Sequence, residues 1–211
     1  MDELDLHYPS TCPFCTIASA YPPPSPSSSS SSPPKLWSQW NSHSEDLTSS
    51  IPSDAASHPE KTSPSSFVVL ASADVLAFLD ILPMTGGHLL VCTRAHRGKV
   101  EDLGAAEARS VGFWLPVLAR VVKRVAGTTD YNIVQNNGAR AAQVVPHVHF
   151  HIIPRPETMP EIKNKSWTMF GRGQRDELDD EMGAKMAAEM RRVLREEVGR
   201  IEMKGRKGPK L

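Results

Sequence analysis

A serine- and proline-rich stretch from residue 22 to residue 66 divides this chain more sharply than any other feature. It holds 17 serines and 9 prolines in 45 positions and few large apolar side chains. Such a composition buries too little apolar surface to offset the entropy lost on ordering. We therefore predict a disordered insertion, with either a regulatory role through phosphorylation or none beyond being tolerated.

Length and charge restrict the class of protein. A chain of 211 residues suits one domain, and its 24 basic and 24 acidic side chains give a formal net charge of zero. This balance predicts neither nucleic acid nor a membrane surface as partner, and no apolar run reaches the roughly 20 residues of a membrane span. The acidic N-terminus does not resemble a secretory signal. Three cysteines indicate a reducing compartment, so we expect a cytoplasmic or nuclear protein, or both.

Hydrophobic periodicity predicts five strands and two helices. Pro116 should kink or divide the first helix, and Gly127 should end it. The predicted strands are Phe67–Ala71, Asp74–Asp80, His88–Arg94, Tyr131–Gln135 and Val144–Ile153, and the predicted helices are Lys99–Ala126 and Asp176–Val198. This order predicts an α+β fold, a five-stranded antiparallel sheet with a long helix and a C-terminal helix. We divide the chain into an N-terminal part of the domain (1–21), the insertion (22–66), the domain core (67–160), and a C-terminal helix with a basic tail (161–211).

Three histidines alternate along the last predicted strand. Because side chains alternate between the two faces of a strand, His147, His149 and His151 should share one face. Three aligned imidazoles could bind a metal ion, or they could provide nucleophilic and acid–base catalysis at phosphorus. The spacing alone does not separate these two interpretations.

The run from His147 to Ile153 matches His-apolar-His-apolar-His-apolar-apolar, and it resembles the defining motif of the histidine triad superfamily. Residues 77–83 and 87–91, with His96, resemble the nucleoside-binding strands of that family, and residues 132–138 and 142–143 resemble its phosphate loop. The resemblance covers residues 11–21 and 67–155, and it implies the family's α+β fold.

The resemblance also implies a role for each histidine. His149 would attack the α-phosphate and form a nucleotidyl-histidine, which water then hydrolyses. His151 would orient the phosphate and help to protonate the leaving group. His147 and His88 would complete a polar cluster that holds His149 in its reactive tautomer.

Further positions resemble the nucleotide-binding residues of the family. Asp80 would accept both ribose hydroxyls, while Phe14 and Ile17 would sandwich a purine base. An ordinary turn carboxylate and plain core packing are the alternatives for these residues. The other implied nucleotide-binding positions, several of them in the phosphate loop, are Ile81, Asn136, Ala142, Gln143 and Val144.

Two details bear on the branch of the family. Many phosphoramidase members have serine where this chain has Val144, which offers only its backbone N–H. Pro154-Arg155 resembles instead the fragile histidine triad branch, which cleaves dinucleoside polyphosphates. The third histidine, His151, separates the chain from the uridylyltransferase branch, which has glutamine there.

Cys12 and Cys15 form a CxxC pair, which alone supports half of a zinc site. Some histidine triad proteins hold zinc with such a pair, and the resemblance implies His88 and His147 as the other two ligands. A closed Cys₂His₂ set would make the zinc structural, so we expect that catalysis requires no cofactor. The alternative is two ordinary small residues beside the base pocket.

The sequence therefore predicts a hydrolase that releases AMP from a phosphoramidate or a dinucleoside polyphosphate. One alternative is a non-catalytic nucleotide-binding scaffold, which an intact triad disfavours because a scaffold needs no nucleophile. The other is an aprataxin-like deadenylase, for which the basic tail is too short a DNA-binding module. The resemblance also implies a homodimer, paired through the long helix and an edge strand that would otherwise stay unprotected.

Overall fold

The structure is a computed structural model that describes residues 12–24, 47–157 and 176–206. Within these ranges five strands form one antiparallel sheet in the order β1-β2-β3-β5-β4, so the predicted fold class is confirmed. The strands are β1 (Val68–Ala71), β2 (Val75–Leu79), β3 (Leu89–Thr93), β4 (Tyr131–Gln135) and β5 (His149–Pro154), and the α-helices are α1 (Pro13–Ala20), α2 (Ala105–Ala126) and α3 (Asp180–Arg206). None of the described helices is long and apolar enough to cross a membrane.

Helices cover both faces of the sheet, which explains why β1, β2 and β3 are buried along their whole length. Val75, Ala77 and Leu79 point into the main core with α2 and α3. Leu76 and Phe78, on the other face of the same strand, pack in a smaller core with α1. The apolar runs in the sequence are continuous because each strand must bury both faces.

The long helix α2 begins and ends at local capping signals. The Glu107 carboxylate accepts the Gly104 N–H at 2.8 Å, so α2 begins at Ala105 and not at Lys99. Gly127 adopts the left-handed conformation, with φ 64°, and stops the helix as predicted. Pro116 lies within the continuous helix and does not divide it.

Strand β5 begins at His149, five residues later than predicted. Pro146 has no N–H to donate to a sheet, and the His147 N–H turns back to the carbonyl of Val145 at 2.8 Å. His147 therefore lies just before the strand. His149 and His151 do share a face, with ring centroids 4.9 Å apart.

Residues 47–66 correct the prediction of disorder across 22–66, whereas residues 25–46 lie outside the described residues. Three short 3₁₀ helices occur here: Leu47–Ser50, Asp54–Ala56 and Pro59–Lys61. Ile51 is buried in the main core, the Tyr21 hydroxyl donates to the His58 carbonyl at 2.6 Å, and Arg191 of α3 donates to the Asp54 carboxylate at 2.7 Å. The prediction of disorder failed for residues 47–66 because these contacts come from residues distant in the sequence. The composition of the segment carries no information about them.

Helix α3 is longer at its C-terminal end than the periodicity indicated, and it begins four residues later, at Asp180. The Asp179 carboxylate accepts the Met182 N–H at 2.9 Å and caps the first turn. Further along, the buried Glu197 carboxylate accepts from Arg124 of α2 at 2.7 Å and from Arg200 at 2.6 Å. These charged contacts join α3 to α2 and support its later turns.

Two glycines of α3 give a matched test of its packing. A Cβ on Gly183 would lie 2.8 Å from two atoms of the buried Phe67 ring, whereas a Cβ on Gly199 would have nothing within 4 Å. We expect Gly183→Ala to lower the free energy of unfolding by about 1–3 kcal/mol through overpacking. Gly199→Ala should raise it by about 0.5–1 kcal/mol through helix propensity. Urea denaturation would measure both, and equal stabilisation by the two variants would refute the close packing.

Candidate active site

His149 lies buried at the start of β5, with its protonation pattern set by the backbone. Its Nδ1 lies 2.7 Å from the carbonyl oxygen of His147. A carbonyl can only accept, so Nδ1 of His149 carries the hydrogen and Nε2 keeps its lone pair. Burial lowers the pKa of His149, against the opposing effect of this hydrogen bond. The result is a neutral imidazole with a free Nε2 lone pair.

His88 contacts His151 rather than His149. The two nitrogens, His88 Nε2 and His151 Nδ1, are 3.0 Å apart. This corrects the predicted role of His88 in holding His149. The physical reason is strand register, because β3 pairs with β5 so that Leu90 lies opposite His151, and His88 precedes β3 on the same side of the sheet.

Asp80 follows β2 and faces His88. Its Oδ2 lies 3.2 Å from His88 Nδ1, and its Oδ1 accepts the Leu82 N–H at 2.9 Å. A carboxylate offers about four acceptor positions, and the contact of Asp80 with ribose hydroxyls stays a prediction. The neighbouring Ile81 has an exposed side chain, and its carbonyl accepts the N–H of Leu178 at 2.9 Å.

Helix α1 places Phe14 and Ile17 beside the nucleophile. Both side chains are buried in the smaller core. The Phe14 ring centroid lies 5.2 Å from that of Phe78 and 5.2 Å from that of His149, in edge-to-face contacts. Packing accounts for their burial in the single chain, and their contact with a base stays a prediction.

The predicted phosphate loop is braced by Gln143. This buried side chain accepts the Gly138 N–H at 2.6 Å and donates to the Gly98 carbonyl at 2.7 Å. Gln143 was predicted to bind the nucleotide, whereas both ends of its amide bind backbone here. Its observed role is to hold the loop in shape.

Two backbone amides of this loop, those of Ala142 and Gln143, are bonded within the loop itself. The N–H of Ala142, a residue with φ 62°, donates to Ala139, and the N–H of Gln143 donates to Gly138. The N–H of Val144 lies outside these turn bonds, on an exposed residue. The side chain of Asn136 is buried at the end of β4.

The cysteine pair lies beside two histidines, His147 and His96, of which only His147 was predicted as a metal ligand. Cys12 Sγ is 3.3 Å and Cys15 Sγ is 3.6 Å from Nδ1 of His147, and Cys15 Sγ is 3.4 Å from Nδ1 of His96. The four ligand atoms all lie within 4.8 Å of one another. His88 belongs to the separate group with Asp80 and His151, so His96 replaces it in the predicted ligand set.

The chemistry of this group fits zinc. Bond lengths of about 2.3 Å to sulfur and about 2.0 Å to nitrogen put the edges of a tetrahedral site at about 3.3–3.8 Å, close to the separations observed. His147 Nε2 lies 2.8 Å from the Thr93 carbonyl, which leaves Nδ1 as the lone-pair nitrogen. Burial lowers the pKa of His147 to about 4, so the ring is in the neutral form that a metal requires.

His96 lies within the residues that resemble the family, but no ligand role was predicted for it. His96 follows the end of β3 by three residues, and the Cys–His separation in the sequence does not reveal this proximity. Arg94 was also missed. Its guanidinium donates to the carbonyls of Ala18 and Tyr21 at 2.7 and 3.0 Å, and so it holds the C-terminal end of α1 against the sheet.

Comparison with known proteins identifies the family. The HIT domain profile matches residues 61–158. An uncharacterized HIT-like protein of Methanocaldococcus jannaschii is 39% identical over 113 residues, which is 54% of this chain and 83% of that protein. The chain belongs to the HIT domain family. The predicted histidine triad resemblance is therefore confirmed.

Other HIT proteins match over part of the chain. An adenosine 5′-monophosphoramidase of Schizosaccharomyces pombe is 46% identical over 81 residues, or 38% of this chain and 58% of the yeast protein. This chain thus spans little more than half of that relative. The crystal structure of a HIT-like protein of Bartonella henselae superposes with a TM-score of 0.52 and 27% identity, covering 61% of this chain and 86% of the bacterial one.

Proposed function

We propose that this HIT protein releases AMP from a phosphoramidate or a dinucleoside polyphosphate through a covalent nucleotidyl-His149 intermediate. The observation that carries the proposal is the 2.7 Å contact from His149 Nδ1 to the His147 carbonyl. It leaves Nε2 as a lone-pair nucleophile in a buried site. Hydrolase activity is also supported by the name of the yeast relative, an adenosine 5′-monophosphoramidase.

In this proposal each nearby group has one task. His149 Nε2 attacks the α-phosphorus in line with the leaving group, and His151 donates a proton to the departing atom. The charge that develops on the phosphoryl oxygens is stabilised by Asn136 and the Val144 N–H. Asp80 receives the ribose hydroxyls.

The leaving group is tested by comparing rates on adenosine 5′-phosphoramidate and on diadenosine triphosphate and tetraphosphate. The yeast relative supports the phosphoramidate, whereas Val144 in place of serine favours the polyphosphates. The ratio of kcat/KM values decides between them. AMP binding without turnover of any of these substrates would refute the proposed hydrolase and favour a nucleotide-binding scaffold.

We further propose a zinc ion held by Cys12, Cys15, His96 and His147. Such a closed set of four protein ligands makes the metal structural, because no position stays open for substrate. The site would tie α1 to the end of β3 and to the turn before β5.

Metal analysis tests this zinc site. We expect about one zinc per chain in untagged protein, and less than about a tenth of that in Cys12→Ser, with a lower Tm because the metal contributes to folding. Cys92→Ala is the control, since buried Cys92 lies outside the ligand group. Wild-type protein without stoichiometric metal, or full zinc content in Cys12→Ser, would contradict the assignment.

We also propose a homodimer through β4. This strand ends the sheet and leaves Tyr131 and Ile133 exposed, as is Phe113 on α2. Light scattering at micromolar concentration should give about twice the chain mass of 23.2 kDa. Ile133→Lys should give the monomer, while Met203→Lys, on the exposed side of α3, should not. A monomeric wild type would rule the dimer out.

A further inference from the structure

Arg155 lies on the same face of the sheet as the proposed catalytic histidines. Its backbone N–H donates to the carbonyl of Asp130 at 2.8 Å, so the pairing with the edge strand β4 continues one residue past the end of β5. Side chains alternate between the two faces of a strand. The side chain of Arg155 therefore points the same way as those of His149 and His151.

Asn132 of β4 anchors the Arg155 side chain. The Nε of Arg155 donates to Asn132 Oδ1 at 2.7 Å, and Asn132 lies opposite Ile153 in the sheet. The next pair on this face, Val134 with His151, is two residues or about 7 Å further along the strand. The guanidinium is thus folded back from the end of β5 toward the histidines.

The two terminal nitrogens of this guanidinium have no partner within residues 12–24, 47–157 and 176–206. The Nε–Asn132 bond accounts for the side-chain hydrogen bonding of Arg155 in these ranges, and no carboxylate there forms an ion pair with it. The side chain is only half-buried, so a ligand can reach it. The planar pair of terminal nitrogens matches two oxygens of one phosphate.

The site face is open on the side of β4. Strand β5 has β3 on one side and β4 on the other. The smaller core under α1 takes its strand residues from β1, β2 and β3, whereas none of the five residues of β4 is buried. In the proposed function the nucleoside occupies the α1 side, near Phe14 and Asp80. A leaving group on the α-phosphate therefore has room over β4, where Arg155 lies.

We propose that Arg155, aimed by Asn132, is a specificity-determining residue that binds a phosphate of the leaving group. The inference rests on the proposed function and chooses between its two substrate classes. A dinucleoside polyphosphate carries negative charge on each phosphate beyond the α-phosphate, and the guanidinium binds this charge. A phosphoramidate releases an amine, which offers no negative charge to Arg155. The site thus favours substrates that release a nucleoside diphosphate or triphosphate.

A purely structural role for the same side chain is the alternative, since its bond to Asn132 also joins β4 to the end of β5. The backbone bonds of Arg155 to Asp130 and Thr128 do not depend on its side chain, so the strand end should keep its place in a variant. A structural defect would lower the turnover of every substrate alike. Loss of a phosphate contact acts only on substrates with a distal phosphate.

Three substrates with the same AMP half separate these roles. Diadenosine triphosphate releases ADP, the 4-nitrophenyl ester of AMP releases a phenolate, and adenosine 5′-phosphoramidate releases ammonia. We expect Arg155→Met to lower kcat/KM on diadenosine triphosphate by about tenfold or more, and on the other two by less than about twofold, because it removes a hydrogen bond to a charged group. Arg155→Lys keeps the charge and should recover part of the loss.

Two further measurements test the source of the effect. Asn132→Ala keeps the cation but removes its anchor, so it should give a smaller loss that is again confined to diadenosine triphosphate. The difference between wild type and Arg155→Met should shrink from about 0.05 M to about 0.5 M salt, because salt screens a partly exposed charge contact. Arg109→Met is the control, since it removes an exposed cation from α2 on the other face of the sheet.

Binding to His149→Ala keeps the test independent of turnover. Addition of Arg155→Met to this variant should raise the Kd for diadenosine triphosphate about tenfold and leave the Kd for AMP unchanged, since only the former has phosphates beyond the α-phosphate. Calorimetry measures both constants. Light scattering on Arg155→Met should give the wild-type mass, because the residue is assigned to the substrate and not to the proposed interface on β4.

The outcomes distinguish this inference from the proposed function. If Arg155→Met weakens the binding of diadenosine triphosphate but wild type hydrolyses none of the three substrates, the phosphate contact stands and the proposed function fails. If wild type hydrolyses them and Arg155→Met loses kcat/KM equally on all three, or loses none on diadenosine triphosphate, the function stands and the inference is overturned. A changed mass of Arg155→Met in solution would overturn it as well.

Discussion

Replacing His149 by alanine should lower kcat by about 10⁴–10⁶-fold, as loss of the nucleophile does in other covalent enzymes, while AMP still binds. The variant loses the Nε2 lone pair and leaves Asp80 and the loop before β5 unchanged in sequence. In the wild type the buried His149 ring also packs edge-on against Phe14, with the ring centroids 5.2 Å apart, so the alanine variant should lose some stability as well. Steady-state rates and calorimetric AMP binding, measured on the same preparations, separate catalysis from folding.

Trapping the covalent intermediate would show that His149→Ala loses activity because it lacks the nucleophile, and not because it is less stable. Wild type quenched during turnover of a substrate labelled in its AMP half should carry label in an acid-labile, base-stable linkage, as a phosphorus–nitrogen bond requires. His149→Ala should carry none, and His151→Ala should still carry some with the 4-nitrophenyl ester of AMP, whose leaving group needs little protonation. Near-normal turnover by His149→Ala would refute the mechanism outright, as would label that survives acid.

Replacing Arg191 by methionine should lower the free energy of unfolding by about 2–3 kcal/mol, since hydrogen bonds to charged groups contribute about 1.5–3 kcal/mol. The guanidinium is buried and donates to the Asp54 carboxylate at 2.7 Å and to the Val68 carbonyl at 2.7 Å. It links α3, β1 and the 3₁₀ segment at one point. Methionine retains the apolar stem but leaves the Val68 carbonyl without this donor.

Arg192→Met is the matched control on the same helix. Arg192 is exposed and pairs with the exposed Glu189 and Glu196, and such surface pairs contribute about 0–1 kcal/mol. Hydrogen exchange should accelerate in residues 47–66 for Arg191→Met and not for the control. Equal destabilisation by the two variants, or unchanged exchange in that segment, would show that Arg191 is not its anchor.

The same segment shows what periodicity can and cannot predict. The five strands and the two long helices followed from local patterns, because burial of both sheet faces leaves continuous apolar runs and because Gly127 marks the end of α2. Helix α1 was not predicted. Residues 47–66 carry no such pattern. Their order depends on the burial of Ile51 and on hydrogen bonds from Tyr21 and Arg191. Tyr21 is 37 residues away from its partner in the sequence, and Arg191 is 137 residues away from its partner.

The sequence predicted which residues belong to the site better than it predicted which of them contact one another. The resemblance to the family implied His149, His151, His88 and Asp80, and those residues do gather at one side of the sheet. The resemblance did not predict that His88 contacts His151. It also did not predict that His96, and not His88, lies beside the cysteines. Both depend on the pairing register of β3 with β5, a three-dimensional relation that the spacing of histidines along the chain does not encode.

The length of strand β3 sets the distance between two groups of side chains, one around His88 and His151 and the other around His96 and the cysteines. His88 lies just before this strand, His96 lies just after it, and the Thr93 carbonyl at its end holds His147 at 2.8 Å. A one-residue insertion or deletion within β3 would therefore shift His88 away from His151 and His96 away from the cysteines in a single event. The residues proposed for proton transfer and those proposed to bind zinc therefore share one geometric constraint, the length of this strand.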